Sequence, residues 1–154
     1  MMILAEHVPQ TPNMNELYGQ LDTNRNQGLK MLYLLERANL IHILSSEVKN
    51  TKHLAKPDKI FLNNTNLMYA LTIGSNIGTV REVFFNNQLA AAGNELNYPK
   101  QGDFLVNHKH LFEIGGKSKT FEQIKDIPDS YLAIGDIETG HGNRIPLWLF
   151  GLLY

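Results

Sequence analysis

Two short apolar segments joined by four polar residues place the strongest constraint on how this chain folds. The segments are DFLV (103–106) and LFEI (111–114), and NHKH lies between them. If the turn is centred on His108, an antiparallel hairpin places Asp103 opposite Glu113. Side chains alternate between the two faces along a strand, so one face carries both acids and the other is apolar. The apolar face consists of Phe104, Val106, Phe112 and Ile114.

The two acids at the ends of this hairpin predict a metal site. Directly opposed side chains lie roughly 5 Å apart at Cβ, and two carboxylates at that distance repel unless a cation lies between them. Magnesium binds carboxylate oxygens together with waters, so Asp103 and Glu113 are candidate ligands of a divalent metal. A slip of one residue would move one acid to the other face. Alternatively, both acids lie at solvated strand ends and pair with Lys100, Lys117 or Lys119.

The segment that follows the hairpin, Gly116-Lys117-Ser118, matches the end of the phosphate-binding pattern G-x-x-x-x-G-K-[ST]. The first glycine of that pattern would fall at position 111, which is leucine. With so few glycines the loop cannot turn its amides around a phosphate. We therefore reject an ATP-binding loop.

The order of the predicted elements divides the chain into two modules. Apolar spacing predicts helices at 12–21 and 24–39, and LIHIL (40–44) and KIFLN (59–63) are predicted strands. Helix, short turn, longer helix and hairpin is the order of a winged helix-turn-helix. The predicted modules are a winged helix at 1–63 and a mixed α/β module at 64–154.

The second module combines helices with short strands. The predicted helices span 64–71, 79–92 and 121–127, and the predicted strands span 95–99, 103–106, 111–114 and 130–134. We interpret GHGNRIP (140–146) as a surface loop and expect Trp148 to pack in the core.

The bulk composition excludes several classes of function. The net charge of −1 gives no overall field that draws the chain to nucleic acid or to an acidic membrane. The absence of cysteine excludes disulfides, cysteine nucleophiles and thiolate metal sites. The N-terminus lacks the features of a signal peptide, and the longest apolar run, IPLWLFGLLY, is too short to span a bilayer as a helix. We expect a cytoplasmic protein without a membrane partner.

Several segments together resemble the C-terminal region of bacterial and archaeal AAA-type ATPases. They are PNMNELYGQL, NRNQGLKMLYLLERANLIHIL, DKIFLNNTNLMYAL, NIGTVREVFF, NYPKQGDFLV, FEIGGKSKTFEQIKDIPDSYLA and IPLWLFGLLY. In those ATPases a winged helix follows the ATPase core, and a domain of unknown function with a PD-(D/E)XK, restriction-endonuclease-like fold comes after it. The resemblance covers nearly the whole chain but no ATPase core, so we expect no ATP hydrolysis.

The resemblance implies a set of site residues. In nuclease members of that superfamily a helix supplies a glutamate, a strand supplies an aspartate, and the next strand supplies Glu-x-Lys. The acids hold a metal, and the lysine orients or activates the attacking water. The matching acids here are Glu82, Asp103 and Glu113. The lysine position is Gly115, and we expect Lys117, roughly 7 Å further along an extended strand, to replace it. The implied cofactor is Mg²⁺ or Mn²⁺, held by Asp103 and Glu113.

The predicted winged helix offers a nucleic-acid-binding surface. The second helix of such a motif enters the major groove, where Asn, Gln and Arg side chains pair with base edges. Lysines of the loop between the two predicted strands would lie along phosphates. The candidate DNA-binding residues are Arg25, Asn26, Gln27, Lys30, Lys49, Lys52 and Lys56.

Three functions remain open on this basis. The resemblance favours an accessory region of an AAA-type ATPase that binds nucleic acid or a protein partner and is catalytically inactive because Gly115 replaces the lysine. The first alternative is an active metal-dependent nuclease, and the second is a protein-interaction or oligomerisation module. The implied partners are therefore DNA, an ATPase domain or a second copy of the chain.

DNA binding by the second predicted helix can be tested directly. Affinity for duplex DNA should fall with increasing salt, because phosphate contacts release counterions. It should drop further when Arg25 and Lys30 are both changed to alanine. Fluorescence anisotropy with a labelled duplex measures both effects. An affinity that responds neither to salt nor to these substitutions would contradict the hypothesis.

Overall fold

The structure is a computed structural model, and it describes residues 1–7, 13–46 and 56–153. Within these ranges the chain forms helices, short strands and a C-terminal 3-10 helix. The α-helices are α1 (Met2–His7), α2 (Met14–Gln20), α3 (Arg25–Arg37), α4 (Thr65–Leu71) and α5 (Ile77–Ala91). The strands are β1 (Ile41–Leu44), β2 (Lys59–Leu62), β3 (Leu96–Asn97), β4 (Phe104–Val106), β5 (His110–Gly115), β6 (Ser130–Ile134) and β7 (Arg144–Pro146). The 3-10 helix is Leu147–Leu152.

These strands form two sheets. β1 and β2 pair antiparallel as a two-stranded sheet. The remaining strands form a five-stranded mixed sheet in the order β3-β4-β5-β6-β7. In this sheet β3, β4 and β5 are antiparallel neighbours, whereas β5, β6 and β7 run parallel. The predicted mixed α/β class is therefore confirmed.

The predicted hairpin of β4 and β5 forms with the predicted register. Phe104 pairs with Phe112, and Leu105 pairs with Leu111. The apolar face packs against α5, where the buried ring of Phe85 lies 5.1 Å from Phe104 and 5.0 Å from Phe112 between ring centroids. This packing fixes α5 relative to the hairpin that carries the two acids.

The predicted helix at 121–127 is wrong, because this segment forms turns. Its hydrogen bonds span three residues, from Ile124 N–H to the Phe121 carbonyl (3.2 Å) and from Ile127 N–H to the Ile124 carbonyl (3.1 Å). Pro128 disfavours the α conformation at the residue before it. The segment instead covers the second face of the sheet with the buried Ile124 and connects the parallel strands β5 and β6.

The C-terminal end of the chain also departs from the predictions. The segment 140–146, predicted as a loop, contains β7, which pairs parallel with β6. Pro146 is tolerated there because an edge strand leaves one side unpaired. Trp148, predicted in the core, is 53% exposed, because Leu147 and Phe150 take the buried positions i and i+3 of the 3-10 helix. None of the helices in the described part of the chain is long and apolar enough to cross a membrane.

One apolar core extends across the predicted boundary at residue 63. Phe61 of β2 lies 5.3 Å from Phe104 of β4 between ring centroids. His42 Nδ1 and Asn86 Oδ1 are 2.8 Å apart, which joins β1 to α5. The division into two modules stays a prediction, and the N-terminal hairpin is packed directly onto the helix and strand that carry candidate site residues.

The packing of α2 against α3 depends on Gly28. A Cβ at this position would lie 2.4 Å from Cδ1 of the buried Tyr18 ring. Replacing glycine by alanine within a helix usually stabilises by roughly 0.5–1 kcal/mol. We expect Gly28→Ala instead to lower the free energy of unfolding by roughly 1–3 kcal/mol, because the ring must move to admit the methyl group.

Gly19 in α2 provides the matched control for this substitution. Nothing lies within 4 Å of a Cβ added at Gly19, so Gly19→Ala should stabilise the protein. Urea denaturation measures both variants. Effects of the same sign at Gly19 and Gly28 would contradict the close contact between Tyr18 and α3.

Candidate active site

Asp103 and Glu113 lie at one end of the β4–β5 hairpin and line the same pocket. The Asp103 N–H donates to the Phe112 carbonyl (2.9 Å), and Asp103 Oδ2 accepts a hydrogen bond from the Ile114 N–H (2.7 Å). These two bonds tie Asp103 to β5 on both sides of Glu113. Glu113 itself is 4% exposed, so its carboxylate is held in a largely water-excluded place.

Lys119 supplies the cation beside Glu113. A turn closed by the hydrogen bond from Lys119 N–H to the Gly116 carbonyl (2.9 Å) folds the chain back over the end of β5. A Cβ built on Gly115 would lie 2.5 Å from Lys119 Cβ and 2.6 Å from Lys119 Cγ. The Lys119 ammonium forms an ion pair with Glu113 Oε1. The Lys119 side chain therefore occupies the space that a side chain at position 115 would need.

Lys117, the lysine expected to replace position 115, lies elsewhere. It is exposed, and its backbone carbonyl accepts a hydrogen bond from Arg144 Nη2 (3.2 Å). The expectation assumed that the strand continues to Lys117, but β5 ends at Gly115. Beyond that point the alternation of a strand no longer applies, and the turn brings Lys119 rather than Lys117 to Glu113.

Glu82 of α5 lies near the other two acids but has its own cation. Its Oε2 is 2.6 Å from Lys59 Nζ of β2. Burial raises the pKa of Glu82 above its ordinary value, the Lys59 ammonium opposes this rise, and the carboxylates of Asp103 and Glu113 add to it. The three acids named from the sequence therefore share one electrostatic neighbourhood.

The pocket at this place has a volume of about 560 Å³. Its lining residues are Lys100, Gln101, Gly102, Asp103, Glu113, Lys119 and Gln123. Among the described residues, no group of three or more His, Asp or Glu side chains is placed to hold a metal ion. Asp103 and Glu113 form a pair instead, and the contacts above use one oxygen of each carboxylate.

Two arginines that the sequence did not single out lie near the ends of the parallel strands, where Arg144 holds the turn after β5 and Arg81 contacts the residues that follow β6. Arg144 of β7 donates from Nη1 to the Lys119 carbonyl (3.1 Å) and from Nη2 to the Lys117 carbonyl (3.2 Å). Arg81 of α5 lies across Gly135, where an added Cβ would be 2.4 Å from its Nε, and pairs with Asp136. The adjacent glycines of GGKSK are a sequence signal for a turn at this place.

The candidate DNA-binding residues of α3 are on the surface. Arg25, Asn26, Gln27 and Lys30 are all exposed, as is Lys56 before β2. Arg25 and Lys56 line one small pocket together with Tyr18. Lys49 and Lys52 lie outside the described residues.

Searches against protein-family models, curated proteins and solved structures find no match for this chain.

The raised pKa of Glu82 has a consequence for stability. A carboxyl group whose pKa is higher in the folded state binds its proton more tightly there. Its contribution to stability is therefore fully present below the ordinary pKa of 4.5 and is lost as the pH rises through the folded pKa. We expect the free energy of unfolding of the wild type, relative to Glu82→Gln, to decline over this range and to level off above it. Urea denaturation at a series of pH values measures the difference, and a constant or rising difference would contradict burial as the main influence on Glu82.

Proposed function

We propose that the chain carries a divalent-metal-dependent nuclease site of the PD-(D/E)XK type, in which Lys119 replaces the lysine that position 115 lacks. The observation that supports this proposal is the Lys119 side chain, which covers Gly115 and pairs with Glu113. The missing lysine was the main reason to expect an inactive domain. We assign the role of the missing lysine to Lys119, which lies four positions later in the chain.

The donor set suits a hard divalent cation. Mg²⁺ is commonly bound through one or two carboxylates, with waters and substrate phosphates completing its coordination. Asp103 and Glu113 would hold Mg²⁺ or Mn²⁺ through the oxygens that their protein contacts leave unused. When bound, the metal supplies Lewis-acid stabilisation of the charge on a phosphodiester group.

The residues of the chain supply orientation and a cation that can donate a proton. The hydrogen bond from the Ile114 N–H orients the Asp103 carboxylate before any ligand arrives. Arg144 holds the backbone on which Lys119 lies. The Lys119 side chain is 32% exposed, so its ammonium can contact solvent and orient an attacking water. A positioned acid or base of this kind typically contributes about 10²–10⁴-fold to the rate.

The proposed context is an accessory region of an AAA-type ATPase in the cytoplasm. In it the N-terminal part, as a winged helix, binds DNA through the exposed Arg25, Asn26, Gln27 and Lys30 of α3. A catalytically inactive nucleic-acid- or partner-binding module is the second candidate. It is favoured by the observation that only two of the three acids share the pocket while Glu82 pairs with Lys59.

A cleavage assay separates the two candidates. Mn²⁺-dependent cleavage of mixed single- and double-stranded DNA and RNA should be abolished by Glu113→Ala. Lys119→Met should lower the rate by about 10²–10⁴-fold, because it removes the ammonium that orients the water. Lys117→Met is the matched control and should leave the rate nearly unchanged, because the Lys117 side chain is exposed and Arg144 binds its backbone carbonyl.

The opposite outcomes of this assay are equally informative. Loss of cleavage in Lys117→Met with retention in Lys119→Met would assign the role to Lys117 instead. No cleavage by folded wild-type protein would leave the inactive binding module as the leading function. Circular dichroism melting curves of each variant establish that a lost activity does not reflect unfolding.

A further inference from the structure

Lys59 brings the N-terminal hairpin into contact with the candidate active site. Its Nζ lies 2.6 Å from Glu82 Oε2, and the two side chains are only 12% and 21% exposed. The same ammonium lies 5.1 Å from the ring centroid of Phe61 and 5.9 Å from that of Phe104. Two aromatic faces attract the cation and add to its attraction to Glu82. Glu82 is thus engaged by a cation that the chain itself supplies.

The charges of the site are arranged in pairs. Lys59 pairs with Glu82, and Lys119 pairs with Glu113. Asp103 pairs with neither of these lysines, and its carboxylate accepts a hydrogen bond from the Ile114 N–H instead. The acids that line the pocket are Asp103 and Glu113 of the β4–β5 hairpin. Glu82 instead pairs with Lys59 of β2. This distribution accounts for a two-acid site where the resemblance implies three acids.

We propose that Lys59 is a positioning residue of this site, which keeps Glu82 paired outside the pocket so that a divalent cation is held by Asp103 and Glu113 alone. The inference rests on the proposed function, because it takes the pocket as the cation site. It also assigns a role to the N-terminal part of the chain. Since Lys59 belongs to β2, the hairpin that packs on α5 sets the number of acidic ligands.

Removing Lys59 should convert the two-acid site into a three-acid site. A buried carboxylate without its cation is strongly destabilised, and Glu82 already lies within the electrostatic influence of Asp103 and Glu113. A divalent cation in the pocket would then attract Glu82. Removing Lys59 and the charge of Glu82 together should leave the site as it is, because neither group contacts the cation and their charges cancel.

Mn²⁺ binding to the full chain tests the proposal, by isothermal titration calorimetry and by electron paramagnetic resonance of the free ion. Lys59→Met should bind Mn²⁺ about tenfold or more tightly than the wild type, because it gains a carboxylate ligand. The double variant Lys59→Met with Glu82→Gln should bind within about tenfold of the wild type, since loss of a ligand or of its supporting group costs at least that much. Asp103→Asn should bind more weakly.

Lys100→Met is the control for charge alone. Lys100 lines the pocket, and its removal takes away the same charge without touching the contact between Lys59 and Glu82. A gain in Mn²⁺ affinity that is larger in Lys59→Met than in Lys100→Met supports the proposal. Equal gains, or no gain in Lys59→Met, would overturn it.

The double variant decides the question even if Lys59→Met alone fails to fold. A loss of Mn²⁺ affinity of about tenfold or more in this variant would make Glu82 a metal ligand and overturn the proposal. The proposed nuclease function fails separately if the variants show the expected Mn²⁺ affinities but the protein cleaves no nucleic acid. If neither the wild type nor any variant binds Mn²⁺, both the inference and the nuclease proposal are overturned.

Discussion

The site depends on one small volume at the end of β5 that has room for only one side chain. A Cβ at Gly115 would lie 2.5 Å from Lys119 Cβ, so only one of the two positions can carry a side chain there. Because position 115 is glycine, the turn from Gly116 can fold back and the ammonium of Lys119 can reach Glu113. Glu113 is 4% exposed but the Lys119 side chain is 32% exposed, so removing one partner costs less than the roughly 3–5 kcal/mol typical of a fully buried ion pair. The pair therefore affects the stability of this end of the sheet as well as its chemistry.

Apolar packing determines which acids come together. The ring of Phe85 packs against Phe104 and Phe112, which holds α5 on the hairpin and brings Glu82 near its acid-bearing end. Phe61 packs on the same Phe104, so the N-terminal hairpin shares this core and Lys59 reaches Glu82. The site is thus assembled from β2, α5, β4, β5 and the turn after β5. A change in how the N-terminal hairpin packs would reach Glu82 directly through its ion pair with Lys59.

The sequence predicted those parts of the fold that follow from local periodicity. The apolar pattern around His108 is symmetric, so alternation predicted the register of the β4–β5 hairpin and the proximity of Asp103 and Glu113 once the turn was taken to be centred on His108. Lys119 was one of three lysines that the sequence offered as partners of the acids, but alternation could not choose between them, because it ends where the strand ends and the turn that follows is held by tertiary hydrogen bonds from Arg144. The pairing of Lys59 with Glu82 joins residues 23 positions apart and depends on the packing of two separate elements. A pattern within one element carries no information about such a contact.

Moving the lysine back to the position from which it is missing tests the central claim most directly. Gly115 has no positive φ, so the backbone at this position accepts a side chain once the side chain of Lys119 is removed. We compare the Mn²⁺-dependent cleavage rates of Lys119→Gly, which removes the Cβ that would meet a side chain at position 115, and of the double variant Gly115→Lys with Lys119→Gly. If Lys119 fills the role of a lysine at position 115, the single variant loses cleavage and the double variant regains most of it. A double variant as inactive as the single one, with both folded, would contradict this assignment.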